Sequence, residues 1–146
     1  MSMKAKEFLK QVRHADIVAA IRAAERKTSG EIRVFVSHKG VDAPVTAAQA
    51  EFARLGMTKT RERNGVLIFI SPRTRKFAVI GDQAVHEKCG DAFWRALADE
   101  MSGHFKAADF TAGIVHGIHK AGELLATHFP HRSDDRNELS DRVEQD

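Results

Sequence analysis

The feature that most constrains the fold is a run of five large apolar residues, Val-Leu-Ile-Phe-Ile, at positions 66–70. Successive side chains of a strand point to opposite faces, so both faces of this strand must be buried. Such a strand lies centrally in a sheet that carries helices on both sides. An Asn64-Gly65 turn precedes the run, and a short turn at residues 72–75 separates it from a second apolar strand at 76–80. These two strands are predicted to form an antiparallel hairpin.

Helices and one further strand complete the predicted fold. Residues 31–37 alternate between apolar and other side chains, which is typical of a strand with one buried face. A helical pattern separates this strand from the central one, so the two are expected to run parallel with a right-handed crossover. Apolar residues at helical spacing also predict helices before residue 30, after Asp82 and over 110–128. The sequence therefore predicts an α/β fold, with a small mixed β-sheet of three to four strands sandwiched between helices.

The length and the charge pattern divide the chain into three parts. A chain of 146 residues is long enough for one core but not for two. Residues 1–15 are predicted to be an N-terminal helical extension, and residues 16–130 the α/β domain. Residues 131–146 carry six acidic and three basic side chains with only two large apolar residues. This composition is typical of a disordered, charged tail.

Composition also bounds the location and the partners. The chain has no apolar run long enough to span a membrane, and its first ten residues lack the apolar centre of a secretory signal. The single cysteine, Cys89, cannot form an intrachain disulfide, which favours a cytoplasmic location. Residues 1–130 hold 20 basic and 14 acidic side chains. That excess is too small to indicate a nucleic-acid partner.

Polar residues are expected to gather at one end of the sheet. Glu31 begins the first strand, Asn64 precedes the central strand, and Asp82 follows the third. In the predicted topology these three positions are neighbours, and Arg61 and Arg63 lie beside them. Oxygen ligands of this kind suit Ca²⁺ or Mg²⁺. Each residue also has an ordinary local role, as a strand start, a turn residue and a helix cap, so both interpretations stay open.

Other ligand classes are less well supported. His116 and His119 lie three apart on a helix, and His86 precedes Cys89 by three, but this spacing matches no closed Cys/His zinc site. The basic turn at residues 73–76 could contact a phosphate backbone. It has no aromatic stacking platform beside it, so nucleic acid is not expected as a partner.

Five segments closely resemble the TPM domain and follow in the same order: residues 21–36, 63–71, 75–82, 93–94 and 110–130. This family is named after thylakoid-lumen, photosystem-repair and acetylcholine-receptor-modulator members. The resemblance covers residues 16–130 and is closest to the short, free-standing bacterial members. It implies an α/β sandwich, in agreement with the pattern above. It implies function only loosely, because plant members resemble weak acid phosphatases and some members bind calcium.

Two functional hypotheses follow. The first is a non-catalytic module that binds a divalent cation, Ca²⁺ before Mg²⁺, or a protein partner, with Glu31, Asn64 and Asp82 as metal ligands. The alternative is a weak, metal-assisted phosphomonoester hydrolase in which Arg61 and Arg63 hold the phosphoryl oxygens. The sequence shows ligand candidates but no recognisable nucleophile motif, which favours the first hypothesis. No organic cofactor is predicted.

Overall fold

The computed structural model describes residues 3–131 and 141–146. Five helices and a four-stranded mixed sheet form the fold, which confirms the predicted α/β class. The elements are α1 (Ala5–Gln11), α2 (His14–Glu25), β1 (Glu31–Val36), α3 (Pro44–Arg54), β2 (Gly65–Ser71), β3 (Lys76–Gly81), α4 (Gln83–Lys106), α5 (Phe110–His128) and β4 (Glu144–Gln145), with a short 3-10 helix at Met57–Lys59.

The sheet has the strand order β3-β2-β1-β4. β1 and β2 are parallel, with Glu31 opposite Gly65, and β2 pairs antiparallel with β3, with Val66 opposite Gly81. Both relations confirm the sequence prediction. The apolar run at 66–70 lies within β2, in the interior of the sheet, and all seven residues of β2 are buried.

Each face of the sheet has its own core. On one face, Ile32, Val34 and Ile68 pack with apolar residues of α1, α2, α4 and α5. On the other face, Phe35 and Phe69 stack with ring centroids 5.7 Å apart, beneath residues of α3. The prediction that β1 is only half-buried is wrong, since all six of its residues are buried. The reason is that Phe35 packs beneath α3, while Arg33 is covered by Glu144 and by the carbonyl of Leu55.

Small residues on α5 allow close helix packing. A Cβ atom added at Gly122 would lie 2.8 Å from the Cβ of Ala24, so α2 and α5 are nearly in backbone contact there. A Cβ atom at Gly117 would lie 2.7 Å from the sulfur of Met101 on α4. These approaches bring α5 close to both neighbouring helices and to the sheet beneath.

Residues 141–146 belong to the segment that the composition predicts to be a disordered tail, and in the structure they lie against the sheet. β4 pairs parallel with the outer edge of β1, with Glu144 opposite Phe35. The carboxylate of Glu144 forms an ion pair of 2.5 Å with the buried guanidinium of Arg33. Acidic side chains therefore anchor this segment, although its apolar content is low. Residues 132–140 lie outside the described part of the chain, and the expectation for them stays a prediction.

The first helix belongs to the same core as the rest of the fold. Phe8 of α1 is only 3% exposed and contacts Phe110 of α5 with ring centroids 4.9 Å apart. Helices in the described ranges, 3–131 and 141–146, do not combine the length and the apolar character needed to cross a bilayer.

Candidate functional site

The strand register brings the predicted site residues to one end of the sheet. Glu31 starts β1 opposite Gly65, and Asn64 immediately precedes that glycine. The backbone N–H of Asp82 donates to the carbonyl oxygen of Gly65 over 2.8 Å. Glu31, Asn64 and Asp82 are 2%, 1% and 6% exposed, respectively. These polar side chains are buried, so the groups around each one determine what chemistry is open to it.

Asp82 is held by Arg63 and by the start of α4. The guanidinium of Arg63 donates from Nε to Oδ2 over 2.8 Å and from Nη2 to Oδ1 over 2.9 Å. The backbone N–H of Gln83 donates to Oδ1 over 2.7 Å, so Asp82 caps the helix. Hydrogen bonding to Asp82, followed by its charge, raises the pKa of Arg63. The predicted metal ligand and the predicted anion-binding residue therefore bind each other.

Asn64 connects two loops at the same end of the sheet. Its amide Nδ2 donates to the hydroxyl of Ser29 over 3.1 Å and to Oε2 of Glu62 over 3.3 Å. The Ser29 hydroxyl in turn donates to the same carboxylate oxygen of Glu62. Arg61, the second predicted anion-binding residue, is exposed in this loop. The sequence prediction had not included Glu62, although it lies only two residues before Asn64.

Glu31 lies beside a second carboxyl group, that of Glu25 at the end of α2. Oε2 of Glu25 accepts a hydrogen bond from the backbone N–H of Ile32 over 2.9 Å, next to Glu31 in the chain. Burial, and then the negative charge of Glu31, raise the pKa of Glu25 to about 10. Hydrogen bonds with the carboxyl groups of Glu31 and Asp141 also raise the pKa of Glu25, whereas the hydrogen bond from the backbone N–H of Ile32 lowers it. These effects favour the protonated form of Glu25 beside Glu31.

Asp141 brings the C-terminal segment to this carboxyl pair. Its Oδ2 accepts a hydrogen bond of 3.2 Å from Nε of Arg22 on α2. The structure thus groups Glu31 with Glu25 and Asp141 and places Asp82 with Arg63. Within residues 3–131 and 141–146, no three His, Cys, Asp or Glu side chains stand in a preformed arrangement for a metal ion.

The histidine and cysteine candidates lie elsewhere in the fold. Nε2 of His116 is 2.7 Å from a carboxylate oxygen of Glu100, so this ring links α5 to α4. Cys89 is half-buried on α4, and burial raises the pKa of its thiol. A thiol in such surroundings is less reactive than an exposed one.

Comparison with known proteins places the chain in a family. The model of the TPM domain matches residues 3–124. The solved structure of the BA42 protein from the psychrophilic bacterium Bizionia argentinensis is similar, at 35% identity and a TM-score of 0.83, covering 92% of this chain and 95% of that chain. The N-terminal domain of a protein from P. gingivalis shares the fold at 16% identity and a TM-score of 0.55, with 90% and 98% covered. No curated protein matches. The chain belongs to the TPM domain family.

Proposed function

We propose that this TPM domain binds a divalent cation at the end of the sheet where β1 and β2 begin, with Glu31 and Glu25 as its principal ligands and Asn64 beside them. The observation that carries the proposal is the placement of the carboxyl groups of Glu25 and Glu31 side by side at this end of the sheet. The predicted ligands Glu31 and Asn64 keep their role in this proposal, and Glu25 is added from the structure.

A pair of neighbouring carboxyl groups must be neutralised by a shared proton or by a cation, because two negative charges in a poorly solvated site repel each other. Carboxylate and amide oxygens are the ligands of Ca²⁺ and Mg²⁺. Ca²⁺ accepts irregular sets of six to eight oxygens, whereas Mg²⁺ requires a near-octahedral set. An irregular group drawn from a helix end, a strand start and a turn therefore suits Ca²⁺ better.

Asp82 has a different role in this proposal. Its two oxygens already accept three hydrogen bonds, two of them from Arg63, so a cation would have to displace a guanidinium to reach them. Neighbouring strands are about 4.8 Å apart, which puts β1 and β3 roughly 10 Å from each other across β2. We propose that the Asp82–Arg63 pair fixes the loop before β2, and that Glu31, not Asp82, binds the ion.

An NMR titration of the backbone amides with Ca²⁺, and then with Mg²⁺, at near-physiological ionic strength tests the proposal. We expect saturable shifts around Glu25, Glu31 and Asn64 in the wild type and in Asp82→Asn. Glu31→Gln should weaken the binding about tenfold or more, because one carboxylate ligand is lost. Glu87→Gln, which removes an exposed carboxylate from α4, is the matched control and should bind like the wild type. Equal binding by Glu31→Gln and the wild type would exclude this site.

Phosphomonoester hydrolysis at the same end of the sheet is the alternative outcome. The pairing of Arg63 with Asp82 counts against it, because this guanidinium is already engaged by a carboxylate. Cation-dependent turnover of a phosphomonoester that disappears in Glu31→Gln would favour hydrolysis over simple binding.

A cytoplasmic location remains part of the proposal, on the ground of the single cysteine.

A further inference from the structure

A cavity lies at the opposite end of the sheet from the carboxyl pair. It has a volume of about 560 Å³ and opens between α1, the turn that joins β2 to β3, the end of α4 and the start of α5. Pockets for small ligands commonly enclose 300–1,000 Å³, so this one is large enough for a compact organic molecule. Neither the cation proposal nor the family assignment gives it a role.

Four phenylalanine rings form a continuous apolar wall in the cavity. Phe8 contacts Phe110, with ring centroids 4.9 Å apart, and Phe110 contacts Phe105 at 6.2 Å. Phe105 meets Phe77 edge-on at 5.0 Å. Phe8 is buried, but Phe77, Phe105 and Phe110 remain partly exposed. The wall therefore presents aromatic surface that is not fully covered by the fold itself.

The charges that line the cavity have a single sign. Arg75, Lys76 and Lys106 line it, whereas no acidic residue of the described chain does. The ammonium group of Lys76 is directed to the carbonyl oxygen of Asp42, 2.9 Å away, so Arg75 and Lys106 are the cations better placed for a ligand. Both side chains belong to exposed residues. An apolar wall with a cationic rim is complementary to a molecule with an apolar body and an anionic head.

Two backbone positions around the cavity have unusual conformations. Arg75 and Ala108 have φ values of 58° and 61°, in the left-handed region that residues other than glycine seldom adopt. Only one other non-glycine residue in the described ranges, Arg63, has a positive φ. Such conformations are energetically unfavourable for residues with a side chain, and they tend to occur at functional sites. Here they shape the two turns that bring Arg75 and Lys106 to the cavity.

We propose that this cavity binds a free, medium-chain carboxylate, with its alkyl chain against the phenylalanine wall and its carboxylate at Arg75 and Lys106. Binding of this kind involves no chemical step. The site is independent of the cation proposal, because it lies at the other end of the sheet and shares no residue with it. Failure of either proposal leaves the other intact.

Titration of the full chain with decanoate, followed by NMR, tests the inference. We expect saturable shifts at Phe77, Phe105 and Phe110. The charge reversals Arg75→Glu and Lys106→Glu should each weaken decanoate binding about tenfold, because an attractive ionic contact becomes repulsive. The uncharged probe decanol should bind more weakly than decanoate to the wild type, and the two reversals should not weaken it further.

Two further variants separate the cavity from general charge and hydrophobic effects. Ser102→Trp should fill the cavity and abolish the binding of both probes, since Ser102 lines it. Lys88→Glu makes the same charge change near the other end of α4, on an exposed residue, and should leave decanoate binding unchanged. The inference would be overturned if decanoate and decanol bound with equal affinity. It would also be overturned if Lys88→Glu and Lys106→Glu lost equal amounts of decanoate affinity. Association with anionic lipid vesicles, without any binding of free decanoate, would overturn it as well.

Discussion

Replacing Glu25 with glutamine is expected to remove a loss of stability that the wild type shows as the pH rises. In urea unfolding between about pH 6 and about pH 9, the free energy of unfolding of the wild type should fall steadily, by at most about 1.4 kcal/mol for each pH unit. The free energy of unfolding of the variant should depend much less on pH. Near about pH 9 the variant should be more stable than the wild type.

The direction follows from the pKa of Glu25, which burial and the charge of Glu31 raise from 4.5 to about 10. The folded protein therefore keeps a proton that the unfolded chain releases above its ordinary pKa. Stability from this group is complete below about pH 4.5 and is lost as the pH rises towards about 10. Glutamine is nearly isosteric and neutral at every pH, and its carbonyl oxygen can still accept the hydrogen bond from Ile32.

Exposed carboxyl groups provide the control for this experiment. Glu87 is exposed on α4, so Glu87→Gln should reproduce the wild-type profile. All other ionisable groups are common to the three proteins apart from the substituted residue, so their effects cancel in the comparison. Parallel pH profiles for Glu25→Gln and the wild type would show that Glu25 does not hold its proton in the folded state.

A second large effect is expected at the centre of the sheet. Ile68 on β2 is completely buried, opposite Val34 of β1 and Val79 of β3. Its Cδ1 atom would lie 3.3 Å from a Cβ atom added at Gly117, so it reaches the backbone of α5. Ile68→Ala should lower the free energy of unfolding by about 4 kcal/mol, through lost burial and a cavity that the close-packed helix cannot fill.

The size of the side chain should set the size of this effect. Ile68→Val removes a single methyl group and should cost about 1 kcal/mol. Val45 is 52% exposed on α3, so Val45→Ala should change the free energy of unfolding by less than about 0.5 kcal/mol. Urea unfolding at one pH measures all three variants. A loss in Ile68→Ala no larger than that in Val45→Ala would contradict the central position of β2.

The sheet could be predicted from the sequence because its strands carry local signals. The Val-Leu-Ile-Phe-Ile run identified β2, and the short turn after it identified the hairpin with β3. The alternation in β1 predicts one exposed face, but the face that carries Arg33 is buried as well. Burial of Arg33 depends on Glu144, which is more than one hundred residues away in the chain. Local patterns do not contain that kind of information.

The candidate site was predictable only in part, for the same reason. Strand register alone brings Glu31, Asn64 and Asp82 to one end of the sheet, so the positions could be inferred from topology. The partners of their side chains depend on loop conformation and on helix ends. The positive φ of Arg63 allows its side chain to meet Asp82, and the end of α2 brings Glu25 to Glu31. No periodic pattern in the sequence indicates either contact.

The most direct test of the cation site is to count the protons released when Ca²⁺ binds. Isothermal titration calorimetry at one near-neutral pH, in two buffers of different ionisation enthalpy, gives this number. The ion should displace the proton of Glu25, so we expect release of about one proton for each ion bound, and no release in Glu25→Gln. Binding without proton release, or no binding at millimolar Ca²⁺, would contradict a cation site formed by Glu25 and Glu31.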